Sequence, residues 1–439
     1  MPKFQYPTHA RIIARFNEMD SSMQLSNFGE KFSANAGIVE LMDDLGEALT
    51  INPDMVFMGG GNPARIPAAE SLFKQHLQAI TNDPERFNRL VGIYQAPKGD
   101  PRFCETLAAY LNRTQGWNIS ADHIAVANGS QTAFFIVANM LAGDSTTGAK
   151  TIHLPLSPEY LGYSDSGLHA PFYTATRPTI DLLDERLFKY RVDFDRLTLP
   201  ESTNALCISR PTNPTGNILT DQEVEHLSEI ALARGVPLII DGAYGVPFPD
   251  ISFVPAKPFW NDNSILLLSL SKLGLPGIRG GIVVANPEFI RAFSNANTII
   301  SLACSTLGPM IAESMIESGD LDYLTQSIVK PHYRDSAQFM LQALERELVG
   351  LPYRVHKPEG AIFVWTWFEN LPITSRELYE RCKRSGLLVV PGENFFIGIE
   401  DDWQHKHECL RISHAQPRDV IEAGIKILAQ ELRRALNDA

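Results

Sequence analysis

Two chemically reactive side chains stand directly after apolar runs that are typical of buried strands. Asp241 ends the run VPLIID (236–241), and Lys272 follows the run SILLLSL (264–270). A carboxylate at such a place needs a strong partner, because burying it unpaired is expensive. A desolvated lysine has a lowered pKa and is suited to forming a covalent bond with a carbonyl carbon. Each also fits an ordinary role, a helix cap or salt bridge for Asp241 and an exposed loop residue for Lys272.

Other residues could bind anions. Gly129-Ser130-Gln131 follows HIAVAN (123–128) and begins an apolar helix, where free backbone N–H groups suit a phosphate. A plain strand-to-helix turn is the alternative. Arg411 lies in CLRIS (409–413), and the planar fork of an arginine can bind a carboxylate through two hydrogen bonds. A surface arginine on an edge strand is the alternative for Arg411.

Two other sequence motifs that are typical of known sites are rejected, because the residues around them do not fit those sites. Ser269-Leu270-Ser271-Lys272 satisfies the S-x-x-K pattern of penicillin-binding proteins, but it follows a strand and has no S-D-N or K-T-G partner. Gly59-Gly60-Gly61-Asn62 and GLPGIRGG (274–281) lack the G-x-G-x-x-G spacing of a dinucleotide site. The sequence therefore argues against an acyl-enzyme site and against a dinucleotide site.

The elements that position these residues alternate between strands and helices, which predicts an α/β fold with a parallel sheet covered on both faces. Thr220-Asp221-Gln222-Glu223 is a capping box that begins a helix ending near Arg234, before Gly235 and Pro237. The candidate strands of the sheet are 123–128, 151–156, 205–210, 236–241, 264–270 and 280–285.

From residue 331 onward the pattern changes to a mixture that predicts a smaller α+β domain. Its candidate helices are 333–348, 375–385 and a last one from about 417, and its candidate strands are 361–368, 387–390 and 409–413. We therefore expect four regions: an N-terminal extension (1–27), a segment packing with the small domain (28–60), a large domain (61–330) and a small C-terminal domain (331–439).

Composition excludes several classes of protein. The chain has 439 residues, a formal net charge of −13, 44% hydrophobic and 20% charged residues, which is ordinary for a globular protein. Its longest apolar runs are far shorter than the ~20 residues of a membrane span. The acidic balance argues against nucleic-acid and anionic-membrane partners. Five scattered cysteines without a metal-ligand spacing, and no signal-like apolar stretch at the start, lead us to expect a cytoplasmic protein without a metal site.

Taken together, four blocks resemble the fold-type-I, pyridoxal-phosphate (PLP)-dependent aminotransferases. They are NGSQ (128–131), SRPTNPTGN (209–217), DGAYG (241–245) and SLSKLGLPGIR (269–279), and they occur in that family's order at about its spacing. The resemblance reaches from about Phe28 to the C-terminus. It implies a fold-type-I PLP-transferase fold, with a large domain of mostly parallel sheet flanked by helices and a smaller α+β domain.

The resemblance also implies a role for each residue. Lys272 would carry PLP covalently and then act as the general base. Asp241 would pair with the pyridine nitrogen, and Tyr244 and Asn213 would hydrogen-bond the phenolic oxygen. The other cofactor contacts would come from Tyr160 on the ring face, from Ser130, Gln131, Ser269 and Arg279 at the phosphate, and from Tyr94 of a neighbouring subunit, which requires a homodimer.

The substrate carboxylate would bind Arg411, with Asn213 and the Gly61 backbone as helpers. No second cation is obvious for a distal carboxylate, and Ile38, Leu41 and Met42 could form an apolar lid. Five further blocks resemble one subgroup of that family, namely GGGNPA (59–64), SPEYLGYSDSGL (157–168), DGAYGVPFPDI (241–251), KPEGAIFVW (357–365) and VPGENFF (390–396). This narrower resemblance implies ping-pong transfer of an amino group from L-valine, or a similar aliphatic amino acid, to pyruvate, which gives 2-oxoisovalerate and L-alanine. We expect His414, after the carboxylate-binding strand, to be solvated; the alternative is that it shapes the substrate pocket.

Two alternatives to this reaction stay open. The first is another aminotransferase, or a β-eliminating C–S lyase, on the same fold. The second is a regulator with an aminotransferase-like domain; such regulators add an N-terminal DNA-binding domain, for which the N-terminal extension is too short and the chain too acidic.

Overall fold

The computed structural model describes residues 24–34 and 37–438, apart from the side chains of Ile38, Glu40 and Leu41. Most of the expected N-terminal extension (1–27) therefore lies outside the described residues. So do the side chains of the two lid positions Ile38 and Leu41. No helix of the described part is long and apolar enough to span a membrane. Within the same part, no cluster of His, Cys, Asp and Glu is arranged to hold a metal ion.

A seven-stranded, mostly parallel sheet forms the centre of the molecule, and all six predicted strands are confirmed in it. Gly281–Val284 is antiparallel to both of its neighbours, whereas the other neighbouring pairs are parallel. In spatial order the strands are Ile124–Ala127, Gly281–Val284, Ser264–Ser269, Leu238–Asp241, Thr203–Ser209, Thr151–Leu154 and Tyr173–Ala175.

Alternating strand residues pack into two separate apolar clusters, which is why the strands are apolar throughout. Ile239 and Leu267 belong to the cluster under the helix Ser130–Leu141. Leu238 and Leu266, their chain neighbours, belong to the larger cluster on the opposite face. Because side chains alternate across a strand, both faces of this sheet are covered. Polar residues are few in these strands, and several of them stand at strand ends.

The capping box predicted at Thr220 begins the helix Asp221–Arg234. The backbone N–H of Glu223 donates to Thr220 Oγ1 (3.2 Å), and the backbone N–H of Thr220 donates to the Glu223 carboxylate (2.8 Å). The helix ends at Gly235 in the left-handed conformation. The other described α-helices are Asn27–Ser33, Gly37–Ile51, Pro67–Asn82, Pro84–Val91, Pro101–Gln115, Ser130–Leu141, Pro287–Ser301, Leu307–Ser318, Asp320–Tyr323, Lys330–Glu347, Ser375–Arg384 and Arg418–Asn437, with a π-helical turn at Leu324–Val329.

A second sheet is built largely from the C-terminal part of the chain. Its strands, in spatial order, are Val390–Pro391, Cys409–Ser413, Phe363–Trp367, Arg354–His356, Leu187–Arg191 and Thr179–Leu182. The last two form a hairpin from within the region 61–330, and Leu187–Arg191 pairs in parallel with Arg354–His356. Sequence analysis did not find this hairpin, because its strands are short and their pairing partner is far away in the chain.

The N-terminal segment contacts the C-terminal part of the chain. Val56–Phe57 pairs in parallel with Leu387–Leu388, and the backbone N–H of Ser413 donates to the carbonyl of Met58 (2.8 Å). These bonds hold the loop that follows, residues 59–62, against the strand that carries Arg411. The packing of the whole segment 28–60 on a small domain, like the division of the chain into domains, stays a prediction.

Candidate active site

A cavity of about 800 Å³ opens at the carboxyl-end edge of the large sheet. This is where ligands bind in open α/β sheets, and the volume suits a small-molecule site. Ser209 and Asp241 reach this edge together because they are paired in register on neighbouring parallel strands. The lining includes nearly all of the predicted site residues, namely Gly61, Ser130, Gln131, Tyr160, Asn213, Asp241, Tyr244, Ser269, Lys272, Arg279 and Arg411.

Tyr94 is the exception among the predicted residues. It is 82% exposed and does not belong to the described lining of this cavity. Its loop is held to the strand Ile124–Ala127, because the backbone N–H of Val126 donates to the carbonyl of Lys98 (2.8 Å). The structure thus places Tyr94 on the surface of its own subunit.

Asp241 lies at the floor of the cavity with two hydrogen-bond donors. Tyr163 Oη donates to its Oδ2 (2.7 Å), and the backbone N–H of Ala243 donates to its Oδ1 (3.0 Å). Burial raises the pKa of Asp241, while these two hydrogen bonds and the nearby charge of Lys272 oppose that rise. The donors therefore favour the anionic form of a carboxyl group that burial alone would leave protonated.

Lys272 extends from the loop after Ser264–Ser269 into the same cavity. Its Nζ donates to the carbonyl oxygen of Gly61 (2.5 Å) and lies 5.4 Å from the centre of the Tyr244 ring. Burial lowers the pKa of Lys272 to about 8, and the positive charges of Arg411 and Arg279 act in the same direction. This amine therefore loses its proton much more readily than an ordinary lysine does, and its neutral form is nucleophilic.

One end of the cavity is suited to an anion. The helix Ser130–Leu141 begins there, and its cap residue Gly129 has no side chain and a φ of +97°. Any Cβ at Gly129 would overlap the guanidinium of Arg279, so glycine is needed for the close approach of these two groups. Free N–H groups of a first helical turn beside a guanidinium form a positively charged binding site for a phosphate.

Arg411 provides a second, separate cation, on the buried strand Cys409–Ser413. Nη1 donates to Asn213 Oδ1 (3.0 Å) and Nη2 donates to the carbonyl of Gly59 (2.7 Å), so Gly59 is the glycine of this loop that contacts Arg411. The guanidinium carbon lies 4.2 Å from the ring centre of Phe363 and 5.1 Å from that of Phe395. Nε is buried without a partner, which leaves a donor for a ligand.

Burial lowers the pKa of Arg411 to about 10. A guanidinium held on two aromatic faces, with a donor left unpaired, is suited to a carboxylate ligand.

An apolar wall closes the side of the cavity formed by the helix Gly37–Ile51. Met42, Leu45 and Leu49 line it at positions i, i+3 and i+7, which lie on one helical face. Phe57 adds an aromatic ring. Of the three lid residues expected from the sequence, Met42 lines the cavity, whereas the side chains of Ile38 and Leu41 are outside the described set.

Sequence analysis missed Tyr163, which lines the cavity, and Glu159, which contacts the lining residue Ser209. Both lie in the segment SPEYLGY (157–163), which also supplies Tyr160. The available signal was an acidic residue and a second tyrosine just after the buried strand Thr151–Leu154. Neither residue type indicates its partner. Glu159 contacts Ser209, which is 50 residues away in the chain, and Tyr163 contacts Asp241, which is 78 residues away.

The expectation of a solvated His414 is wrong. The side chain is fully buried beside Tyr333, with a distance of 6.2 Å between ring centres. Burial lowers its pKa to about 3, so the ring is neutral. The strand Cys409–Ser413 is buried along its whole length, and the residue that follows it is buried as well. His414 does not belong to the described lining of the cavity.

Comparison with known proteins places this site in a family. The model for "Aminotransferase class I and II" matches residues 66–428. The chain is 45% identical over 414 residues to the valine–pyruvate aminotransferase of Escherichia coli K12, covering 94% of this chain and 99% of that protein.

Two solved structures are similar over nearly their whole length. A putative amino-acid aminotransferase from Psychrobacter arcticum is 42% identical, with a TM-score of 0.93 and coverage of 95% of this chain and 100% of that chain. The valine–pyruvate aminotransferase of Salmonella typhimurium is 44% identical, with a TM-score of 0.85 and coverage of 92% and 100%. Enzymes of this family depend on PLP. The fold, the family model and these relatives agree that the chain belongs to the class I and II aminotransferases.

Proposed function

We propose that this aminotransferase moves the amino group of L-valine, or of a similar small aliphatic amino acid, to pyruvate. One observation carries the proposal. The cations among the described lining residues are Lys272, Arg279 and Arg411. Arg279 lies at the anion end and Lys272 supplies the amine, so Arg411 is left to bind one substrate carboxylate. A dicarboxylic substrate would bury its second carboxylate unpaired, which is expensive. The name of the Escherichia coli relative supports the same substrate pair.

The residues present fit the PLP cofactor of the family. The helix N-terminus at Ser130, together with Arg279, Gln131 and Ser269, provides the donors for its phosphate. The half-buried aromatic ring of Tyr160 lines the cavity and supplies a flat apolar face. We propose that these residues hold PLP, with Asp241 at its ring nitrogen and with Asn213 and Tyr244 at its phenolic oxygen.

When bound, PLP supplies an electron-withdrawing ring that stabilises negative charge at the substrate Cα. Asp241, whose anionic form is favoured by its bonds from Tyr163 and from the N–H of Ala243, would hold a proton on the ring nitrogen. The neutral Nζ of Lys272 would take the proton from Cα of the amino donor and, in the second half-reaction, would deliver a proton to Cα of the new amino acid. In this structure the amine donates to the carbonyl of Gly61, which keeps it inside the cavity.

Arg411 orients both substrates, because an amino acid and a 2-oxo acid share the carboxylate next to the reacting carbon. Its guanidinium is fixed by Asn213, by Gly59 and by two aromatic rings before any substrate binds, so little side-chain freedom is lost on binding. The rotation of a substrate about its Cα is thereby restricted, and the side chain is directed to the rest of the cavity.

The apolar wall of Met42, Leu45, Leu49 and Phe57 then receives the side chain of the substrate. Such a wall discriminates by only ~1–3 kcal/mol per methylene. We therefore propose a range of small aliphatic substrates that includes alanine and 2-aminobutyrate beside valine.

The experiment that tests this function measures 2-oxo acid formation from L-valine with pyruvate and without it. We expect 2-oxoisovalerate and L-alanine in equal amounts with pyruvate, and no sustained release without an acceptor. L-Glutamate and L-aspartate serve as matched donors with a second carboxylate, and we expect much lower kcat/KM for both. A higher kcat/KM for either than for L-valine would contradict the assignment.

A β-eliminating C–S lyase is the alternative chemistry on the same cofactor. Such a lyase acts without an acceptor, so S-substituted cysteines would yield pyruvate and ammonia from the protein alone. Release of both products at a rate comparable with that of transamination would replace the proposed function.

We further propose that the protein acts as a homodimer in the cytoplasm. An apolar surface supports the dimer: Ile93, Tyr94, Ile299 and Leu302 are each more than half exposed. The two segments that carry these residues lie next to each other, because both are bonded to Val126. The carbonyl of Val126 accepts from Cys304 Sγ (2.9 Å), and its N–H donates to the carbonyl of Lys98. Exposed apolar patches mark interaction sites. All five cysteines are free and buried, which agrees with a reducing compartment.

Complementation between two inactive variants tests the shared site. If Tyr94 completes the phosphate site of the neighbouring subunit, Tyr94→Ala and Lys272→Ala should each be weak alone. Mixing them should restore activity, since one site of the mixed dimer has both residues intact. Sedimentation of the wild type as a monomer, or the absence of any rescue, would contradict the shared site.

A further inference from the structure

Glu159 is a buried carboxyl group in contact with the lining residue Ser209, and the mechanism above has no use for it. Its side chain is fully buried. Its Oε1 accepts from the backbone N–H of Ser209 (2.9 Å), and its Oε2 is in short contact with Ser209 Oγ. Among the described residues, no Lys, Arg or His forms an ion pair with it. An isolated buried carboxylate without a cation is very costly.

The groups that face Glu159 make a negative charge there still less favourable. They are the carboxyl group of Asp241, which is paired with Ser209 on the neighbouring strand, the thiol of Cys207 and the phenol of Tyr163. None of these is a cation. Two neighbouring carboxyl groups in a buried site do not both ionise, and the proton goes to the one with the weaker donors.

Asp241 has the stronger donors of the two. It accepts from a phenol and from a backbone N–H, and Lys272 lies near it. Glu159 accepts from the hydroxyl and the backbone N–H of Ser209, and the backbone N–H of Tyr160 also favours its charged form. One of these, the Ser209 hydroxyl, can also accept a hydrogen bond, whereas an N–H can only donate. Burial, with a contribution from Asp241, raises the pKa of Glu159 to about 8.

We propose that Glu159 is a positioning residue that acts as a neutral carboxylic acid, whose O–H donates to Ser209 Oγ and leaves Asp241 as the only anion of the cavity floor. The proposal deepens the proposed function, because it concerns the same site. Ser209 lines the cavity, and its own hydroxyl hydrogen is then available on the cavity side.

The position of Glu159 in the chain explains what it holds in place. Tyr160 follows it directly, and Tyr163, the donor to Asp241, lies four residues on. Its backbone N–H donates to the carbonyl of Phe395 (2.9 Å), whose ring packs on the Arg411 guanidinium. The carboxyl group of Glu159 therefore holds the segment 159–163 against the strand that carries Ser209. This segment includes Tyr163, which donates to Asp241, and it is hydrogen-bonded to Phe395, whose ring packs on Arg411.

An infrared spectrum of the cofactor-loaded enzyme tests the protonation state directly. A protonated buried carboxyl gives a carbonyl stretching band that is separate from carboxylate bands and shifts in D₂O. We expect this band near pH 7 in the wild type, its loss in Glu159→Gln, and its loss in the wild type as the pH is raised well above 8. A wild-type spectrum without the band at pH 6 to 7 would overturn the proposal, even if the variant failed to fold.

Glu408→Gln is the matched control. Glu408 is also buried, but its oxygens accept from Trp367 Nε1 (2.8 Å) and from the backbone N–H of Asn370 (3.0 Å), which can only donate. This variant should keep the band. If Glu408→Gln removed it and Glu159→Gln did not, the band would belong to the wrong residue and the proposal would fail.

Kinetics of two substitutions test the positioning role. A glutamine can donate to Ser209 Oγ as the acid does, so Glu159→Gln should keep kcat/KM within about threefold of the wild type. Glu159→Ala removes the link, and we expect the dissociation constant of PLP to rise at least tenfold. A loss of more than thirtyfold in Glu159→Gln would show that the negative charge is needed. The infrared measurement uses no amino acid or 2-oxo acid, so it stands if the substrate assignment fails.

Discussion

Replacing Arg411 with lysine keeps a positive charge in the cavity but removes the planar fork. In the native protein, Nη1 and Nη2 are held by Asn213 and by the carbonyl of Gly59, and Nε is free. One ammonium nitrogen cannot satisfy both of these acceptors and also bind a carboxylate through two parallel hydrogen bonds. Arg411→Lys therefore tests whether the geometry of this group, beyond its charge, binds the substrate.

The structure sets the size of the expected effect. The substrate carboxylate loses at least one hydrogen bond to a charged donor, which contributes about 1.5–3 kcal/mol. That free energy corresponds to a decrease of about 10- to 150-fold in kcat/KM. Most of the decrease should be in KM, because the bond is made before the reaction starts. L-Valine and pyruvate should both be affected, since each carries the carboxylate.

The assay measures kcat and KM for both half-reactions, together with the absorption spectrum of the bound cofactor. The cofactor should stay bound, because Ser130, Gln131, Ser269 and Arg279, the residues proposed for its phosphate, are unchanged. Arg418→Lys is the matched control: its guanidinium lies 4.8 Å from the ring centre of Phe339, outside the cavity lining, and the change should stay within twofold. If Arg411→Lys also stayed within twofold for both substrates, the assignment of the carboxylate site would be refuted.

Three further substitutions have definite expected outcomes. Tyr163→Phe removes the hydrogen bond to Asp241 but keeps the ring stacked on Phe134 at 4.1 Å, so the dissociation constant of PLP, measured by equilibrium dialysis, should rise about tenfold or more with little change in Tm. Met42→Ala should raise kcat/KM for L-leucine relative to L-valine, whereas Ile51→Ala, on the exposed face of the same helix, should not. Burial raises the pKa of Glu159 to about 8, above its ordinary value of 4.5, so the folded state keeps a proton that the unfolded chain releases between these values. Wild-type Tm should therefore fall more steeply than that of Glu159→Gln as the pH rises from about 5 to about 8, and parallel curves would contradict this.

The sequence predicted the large sheet well, because its signals are local. Six apolar runs became six strands, and the capping box at Thr220 began its helix, since each depends on residues close together in the chain. The cavity residues were found for a related reason. Asp241, Lys272 and Ser130 stand at strand ends, and the carboxyl ends of parallel strands meet at one edge of the sheet.

The parts that were missed depend on contacts between distant segments. The hairpin Thr179–Leu182 and Leu187–Arg191 belongs to the second sheet only through pairing with Arg354–His356. The bond from Tyr163 to Asp241 is equally invisible to local patterns, and so is the burial of His414. Sequence shows which side chains are able to react, and three-dimensional packing decides which of them are charged.

The central claim is that Lys272 and the residues around it exchange amino groups between L-valine and pyruvate on PLP. The absorption spectrum of the purified protein tests it most directly. On adding L-valine we expect the visible band of the lysine-bound cofactor to be replaced by the pyridoxamine form, and on adding pyruvate we expect the original band to return. Lys272→Ala should fold normally, as judged by circular dichroism, and should show neither change. A wild-type spectrum that does not respond to L-valine, or normal turnover by Lys272→Ala, would contradict the account.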